Sequence, residues 1–304
     1  MTLEDYLTNV EITSQQLENA LLLEQKLLRL TRKILHEDIF SIGSSGRATY
    51  VPNDYGLPQD IDYYIKDKRD LSDTITAVNE HKSAYEDILS TFYGCSVELQ
   101  LMNAVKQVDE STGEVHYRQA RYQAVNTATG EILLGLDLNY DESLRGDECY
   151  NAVFASQLET LVSRLPDADK ELGRDYLLAN IRALKLYLSQ HKIYKTKEGG
   201  FGGIGCEQLL LQLHRGKTFA NLDSLRQHYN MGMALKTLYE ERDSLTICHP
   251  ITREELLDAK LSRHHGEGWN KILLVAKDYE DYLPREHAYQ HSSYVDLGLS
   301  LQAA

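Results

Sequence analysis

The sequence predicts an α+β protein: a head built on a mixed β-sheet over residues 1–145, then a mostly helical body over residues 146–304. Three observations predict this order. A long amphipathic helix precedes the first strand signals, alternating strand patterns cluster between residues 39 and 140, and helical periodicity takes over after about residue 145. From Thr13 to Leu35, the residues Ala20, Leu23, Leu27, Leu30 and Ile34 recur at spacings of three and four, with Thr13 or Ser14 as N-cap. Ile39 to Ile42 is a short β-type run that ends at Gly43. Asp60 to Ile65 reads as a strand with Ile61, Tyr63 and Ile65 on one face and Asp60, Asp62 and Tyr64 on the other, so its two acids point the same way. Residues 114–125 and 131–140 pair around the turn Asn126 to Gly130, and Asp137 faces away from the apolar side of its strand. Helices are expected at 151–164, 170–191, 205–214, 221–240, 252–261 and 267–282, with a short strand at 245–248.

Composition excludes several classes of function. The chain has 304 residues, with 32 Lys and Arg against 46 Asp and Glu, a formal charge of −14 that argues against a generally basic nucleic-acid coat protein. Any RNA contact must then be local. The longest apolar runs, Leu209 to Leu211 and Ile272 to Ala276, fall far short of the roughly 20 residues that cross a bilayer. The acidic start resembles no secretory signal, so a soluble, cytoplasmic protein with no membrane partner is expected. Cys95, Cys149, Cys206 and Cys248 form no CxxC pair and read as small hydrophobes rather than zinc ligands or disulfides. His287 with His291, and His264 with His265, read as surface histidines.

The chemistry concentrates in Gly43-Ser44-Ser45-Gly46-Arg47-Ala48-Thr49, followed after ten residues by Asp60-Ile61-Asp62. A Gly-Ser turn lets backbone N–H groups approach a polyphosphate, and Arg47 can add a charge-assisted contact. Two carboxylates at i and i+2 on a strand can share hard divalent cations, and Asp137 on a neighbouring strand would complete a two-metal site. Such a site suits in-line phosphoryl or nucleotidyl transfer, in which one ion activates an attacking hydroxyl and the other neutralises departing pyrophosphate. Between Tyr176 and Lys197 lie five cations, Arg182, Lys185, Lys192, Lys195 and Lys197, and no acid. They read either as a cleft lining or as a solvated cationic helix face.

This pattern resembles the nucleotidyltransferase superfamily of template-independent polymerases, with Gly-Ser, a spacer, Asp-x-Asp and a later third Asp. In the second half, Arg182 to Leu188, Ile193-Tyr194 and Gly199-Gly-Phe-Gly-Gly-Ile-Gly205 are similar to the body of class I, archaeal-type CCA-adding tRNA nucleotidyltransferases. Gly216 to Leu222 and His249 to Ser262 follow that family's order. The resemblance implies a nucleotidyltransferase head and an enzyme that transfers NMP from an NTP to an RNA 3′ hydroxyl. It implies that Asp60, Asp62 and Asp137 are catalytic and hold two Mg2+ ions, with Mn2+ as a substitute. Gly43, Ser44, Arg47, Lys185 and Tyr194 would bind the nucleotide, with ATP and CTP as substrates and a tRNA acceptor stem as the RNA partner. Asn151 to Gln157 stands where the family has a polar, His-containing turn. The sequence after Leu283-Pro284 lacks the family's tRNA-elbow segment, so a short footprint is expected. The same chemistry on another acceptor would make an oligonucleotide or cyclic nucleotide signal, or modify a protein hydroxyl in a toxin or defence role. A third class, a non-catalytic nucleotide-binding or RNA-binding module, is opposed by the retention of all three acids.

Overall fold

The computed structural model describes residues 3–66, 70–108, 113, 115–140, 145–194, 202–212, 219–241 and 245–251, with positions 253, 256, 270, 273 and 274. Thr13 opens the long helix as the sequence predicts. Its hydroxyl accepts from the Gln16 N–H while the Gln16 side chain accepts from the Thr13 N–H, a reciprocal cap that satisfies two otherwise orphaned donors. The helix, α2 (Ser14–Leu35), follows a short α1 (Leu3–Asn9) that the periodicity did not announce. After it come β1 (Ile39–Ser41), β2 (Asp60–Ile65), α3 (Leu71–Glu80), α4 (Lys82–Tyr93), β3 (Val97–Val108), β4 (Val115–Asn126) and β5 (Ile132–Asn139).

The five strands form one mixed sheet in the order β1-β2-β5-β4-β3. β1 lies antiparallel to β2, β2 parallel to β5, and β5, β4 and β3 run antiparallel in turn. The predicted hairpin closes at Asn126 to Gly130: the Gly130 N–H donates to Asn126 C=O at 2.8 Å, and Gly130 takes φ +74°, a conformation that favours glycine. β3 was not predicted. Its alternation breaks at a register shift between Leu101 and Asn103, where two exposed apolar residues, Leu101 and Met102, stand side by side. On one face of the sheet Ile61, Tyr63, Ile65, Ala120, Tyr122, Ala124, Leu134, Leu136 and Leu138 join Leu23 and Leu27 of α2, Val78 of α3 and Tyr85 and Leu89 of α4 in one core. The acids of β2 and β5 belong to the opposite face, as the alternation requires.

The helical part comprises α5 (Arg145–Val162), α6 (Lys170–Gln190), α7 (Gly203–Gln212), α8 (Leu222–His228) and α9 (Met231–Glu240). The span predicted as one helix over 221–240 is two, because Asn221 and Asn230 each cap a helix and Asn230 Oδ1 accepts the Met233 N–H at 2.9 Å. The buried Asn180 side chain of α6 bonds Tyr176 C=O and the Met231 N–H, at 2.9 and 3.0 Å, fixing the start of α9 on α6. At 245–248 there is an isolated bridge at Cys248 rather than a strand. Helices expected at 252–261 and 267–282, and both histidine pairs, lie essentially outside the described residues. Among the described residues, no helix is long and apolar enough to cross a membrane.

The chain divides into two compact units, Ile12–Gln157 and Met1–Glu11 with Leu158–Ala304. Local contacts hold each of them together. Asn151 Nδ2 donates to Ser41 C=O at 3.0 Å, which ties the start of α5 to the sheet. In the helical unit, Tyr6 packs edge-on against Tyr187 and donates to Gln190 at 2.8 Å, and Arg182 Nε donates to Val10 C=O at 3.0 Å.

Candidate active site

The parallel pairing of β2 with β5 sets the three acids in register. Asp62 stands opposite Asp137, and Asp60 opposite Gly135. Adjacent strands in register point paired side chains the same way, so all three acids share the face turned from the core. Two glycines make room for the carboxylates. A Cβ at Gly135 would lie 2.4 Å from Asp60 Oδ1, and one at Gly43 would lie 2.6 Å from Asp62 Oδ2. Neither glycine has a positive φ, so close approach rather than turn geometry requires them. The Ile42 N–H donates to Asp62 C=O at 3.0 Å, which brings the end of β1 and the Gly43 turn against the acid strand.

The third acid is already paired. Arg121, opposite Asp137 on β4, grips it in bidentate fashion, Nε to Oδ1 at 2.8 Å and Nη2 to Oδ2 at 2.7 Å, and Gln119 Nε2 adds a bond to Oδ2 at 3.0 Å. The Arg121 guanidinium is held above its ordinary value, first by its hydrogen bonds to Asp137 and further by the charges of Asp137, Asp60 and Asp62, against partial burial. Sequence reading passed Arg121 over. Its signal was present: Gln119, Arg121 and Gln123 alternate with the core residues Ala120, Tyr122 and Ala124, leaving a polar face beside the strand that bears Asp137.

The Gly-Ser turn rests on a buried polar cluster. Ser44 C=O accepts from the N–H groups of Arg47 and Thr49, at 3.3 and 3.1 Å, and Ala48 takes φ +56° to close the turn. Arg47 is buried; its Nη1 donates to Ile42 C=O at 3.0 Å and Asn151 Oδ1 at 2.6 Å, and its guanidinium lies 4.8 Å from the Tyr150 ring centre. Glu24 of α2, 5% exposed, accepts from Ser41 Oγ beside this cluster. Burial raises its carboxyl pKa, opposed by the Ser41 hydrogen bond and the Arg47 charge. A Cβ at Gly46 would lie 2.9 Å from Ser41 Oγ and 3.3 Å from Glu24 Oε1, so the turn packs closely on that cluster. Ser44 itself is only partly buried. These contacts make Arg47 and Asn151 braces of the turn, and neither Glu24 nor Asn151 was predicted.

Lys185 and Tyr194 belong to the helical unit and come together at the start of α7. A Cβ at Gly203 would lie 3.1 Å from Tyr194 Oη and 3.7 Å from Lys185 Nζ. Lys185 is not a solvated cation: it is 1% exposed, and Nζ donates to fully buried Glu207 at 2.7 Å. Arg182 is buried as well, so the cationic stretch is not simply an outward face. Lys195, Lys197 and Gly199 to Phe201 lie outside the described residues.

Carboxylate oxygens are donors suited to Mg2+ or Mn2+, and each of the two glycine recesses seats one carboxylate. Among the described residues, no three His, Cys, Asp or Glu side chains converge on one point. The hydrogen bonds from Arg121 and Gln119 hold the Asp137 carboxylate toward β4 instead. Asp60, Asp62 and Asp137 thus match a divalent site in residue type and strand register, while their side chains do not converge on one in this structure.

No family model matches the chain, and no curated protein matches it. Among solved structures, Cid1 in complex with its short product ApU is 10% identical, covering 89% of this chain and 81% of its own, with a TM-score of 0.49. The non-canonical poly(A) polymerase complex GLD-2–GLD-3 is 12% identical over 94% of this chain and 93% of that one, with a TM-score of 0.48. A cytoplasmic RNA terminal U-transferase is 10% identical and covers 70% of this chain, with a TM-score of 0.39. The chain spans about half of that transferase, 53% of its length.

Proposed function

We propose that this chain is a metal-dependent nucleotidyltransferase that transfers NMP from an NTP to an RNA 3′ hydroxyl and releases pyrophosphate. The register of Asp62 with Asp137, with Asp60 and Asp62 seated against Gly135 and Gly43, is the observation that carries the reading. Asp60, Asp62 and Asp137 would hold two Mg2+ ions, for which Mn2+ could substitute. Bound there, the cations would supply charge neutralisation and activation of the attacking hydroxyl. Gly43 and Ser44 would receive the triphosphate, with Arg47 shaping their turn from beneath. The resemblance alone assigns Lys185 and Tyr194 to the nucleotide; in this reading Lys185 stays paired with Glu207 at the start of α7. The sequence resemblance favours CTP and ATP as donors and the acceptor end of tRNA as the RNA.

The test is incubation of the full chain with Mg2+ and each labelled NTP, with and without RNA carrying an unfinished 3′ terminus. Labelled RNA supports the proposal. A small labelled product formed without RNA moves the acceptor to another nucleotide, and labelled protein moves it to a side-chain hydroxyl. No turnover with any donor or acceptor refutes the reading. Asp60→Ala and Asp62→Ala should each remove several kcal/mol of transition-state stabilisation, about a thousandfold in rate. Circular dichroism should stay unchanged, because both acids stand on the face turned from the core.

A further inference from the structure

Asp62, Asp137 and Arg121 form one rung across three adjacent strands: β2 pairs Asp62 with Asp137, and β4 pairs Arg121 with Asp137. On this rung a cation is already built into the protein. Two guanidinium nitrogens and the Gln119 amide all donate to the Asp137 carboxylate, whose side chain is 4% exposed. The Arg121 side chain is 47% exposed, so the pair is closed on the acid's side and open to solvent on the arginine's. Asp137 cannot keep both contacts with Arg121 and also offer those oxygen lone pairs to a metal ion. A guanidinium binds phosphate with the same two-pronged geometry that it uses on a carboxylate, so a polyphosphate arriving at this face can take it over.

Resting on the metal-site reading above, we propose that Arg121 is a resident counter-ion of Asp137: it competes with divalent cations for the third acid and hands that acid over when a polyphosphate draws the guanidinium away. No bond is made or broken in this exchange. Arg121 passes from carboxylate to phosphate oxygen, and the freed carboxylate turns to the cation. Asp60 and Asp62 then form the part of the site that takes a cation unaided, and the third ligand joins with the substrate. Cation binding and polyphosphate binding are thereby coupled, each strengthening the other by the same factor.

The test measures Mn2+ binding to the full-length protein by the paramagnetic resonance of free Mn2+, with and without inorganic triphosphate. Measured affinities are corrected for binding of Mn2+ to triphosphate itself. Arg121→Met should bind Mn2+ about tenfold tighter than wild type without triphosphate, the factor expected when a partly exposed ion pair no longer has to be broken. Arg121→Met with Asp137→Asn should lose that gain, which shows that it runs through Asp137. Triphosphate should tighten Mn2+ binding more in wild type than in Arg121→Met. Arg121→Lys, which keeps the charge but loses the fork, should fall between the two. Equal Mn2+ affinities for wild type and Arg121→Met, with binding still abolished by Asp60→Ala and Asp62→Ala, would overturn the counter-ion role and leave the metal site standing. Binding insensitive to Asp60 and Asp62 would overturn the metal site and the counter-ion role together.

Discussion

The two compact units each hold a buried carboxylate against a cation, and the two pairs are built for opposite ends. In the sheet-bearing unit Asp137 is gripped by Arg121, whose outer side is half open to water. In the helical unit Lys185 and Glu207 are 1% and 0% exposed, sealed between α6 and α7. A sealed pair cannot trade its partner for water or a ligand, and removing one member strands the other charge in a medium that solvates it poorly. A pair open on one side exchanges at smaller cost, because solvent and incoming ions can take over the contacts of its exposed member, Arg121. The sealed pair therefore serves the architecture of α6 and α7, and the open one is placed for exchange.

The largest expected effect tests the sealed pair. Lys185→Met should lower the unfolding free energy by about 3–5 kcal/mol, read from denaturant titration, because Glu207 remains charged and buried. Adding Glu207→Leu should recover most of that loss; if it does not, desolvation of Glu207 is not its cause. The next effect tests the space on which the acid face depends. Gly135→Ala would place a Cβ 2.4 Å from Asp60 Oδ1. The displaced carboxylate should weaken Mn2+ binding about ten- to a hundredfold, the range for losing the support of a metal ligand. Far-ultraviolet circular dichroism should not change, and unchanged Mn2+ affinity would show that the recess is dispensable.

Smaller effects sharpen the contrast from the open side. Arg121→Met should cost less than Lys185→Met, about 1–3 kcal/mol in the absence of divalent cation, since Gln119 still donates to the buried Asp137. A loss as large as that of Lys185→Met would erase the distinction between the pairs. The smallest effect is a slope. Burial holds the Glu24 carboxyl above its ordinary value of 4.5, against the Ser41 hydrogen bond and the Arg47 charge. As pH rises from that value through the raised native one, the native state keeps a proton that the unfolded chain has lost. Wild type should lose stability across that window relative to Glu24→Gln, and parallel curves from about pH 4 to neutrality would remove Glu24 from the account.

Local rules carried much of the fold. The period of α2 with its Thr13 cap, the alternation of β2 and β5, and the turn at Asn126 to Gly130 were all legible, because each depends on neighbours a few residues apart. α3 and α4 could have been read from caps, since Asp70 opens one and Gly94, at φ +64°, ends the other. They are only 10 and 12 residues long, too short for periodicity alone to announce. The Leu101-Met102 shift hid β3 by breaking the two-residue period on which strand reading depends.

The sequence by itself determined which face of β2 and of β5 bears acids, since side-chain direction in a strand follows from position alone. It could not determine that Asp62 would stand beside Asp137 or that Gly135 would leave room for Asp60; these depend on the pairing of strands some 75 residues apart, Asp62 with Asp137. Nor could it separate Arg121 from Arg118, or Lys185 from Lys192, since equal side chains on neighbouring turns or strand positions carry equal charge. Tertiary packing decided that Arg121 meets Asp137 while Arg118 lies over the Tyr140 ring. It sealed Lys185 against Glu207 and left Lys192 exposed. The physical reason is that burial and pairing belong to the space around a group, and that space is filled by residues distant along the chain.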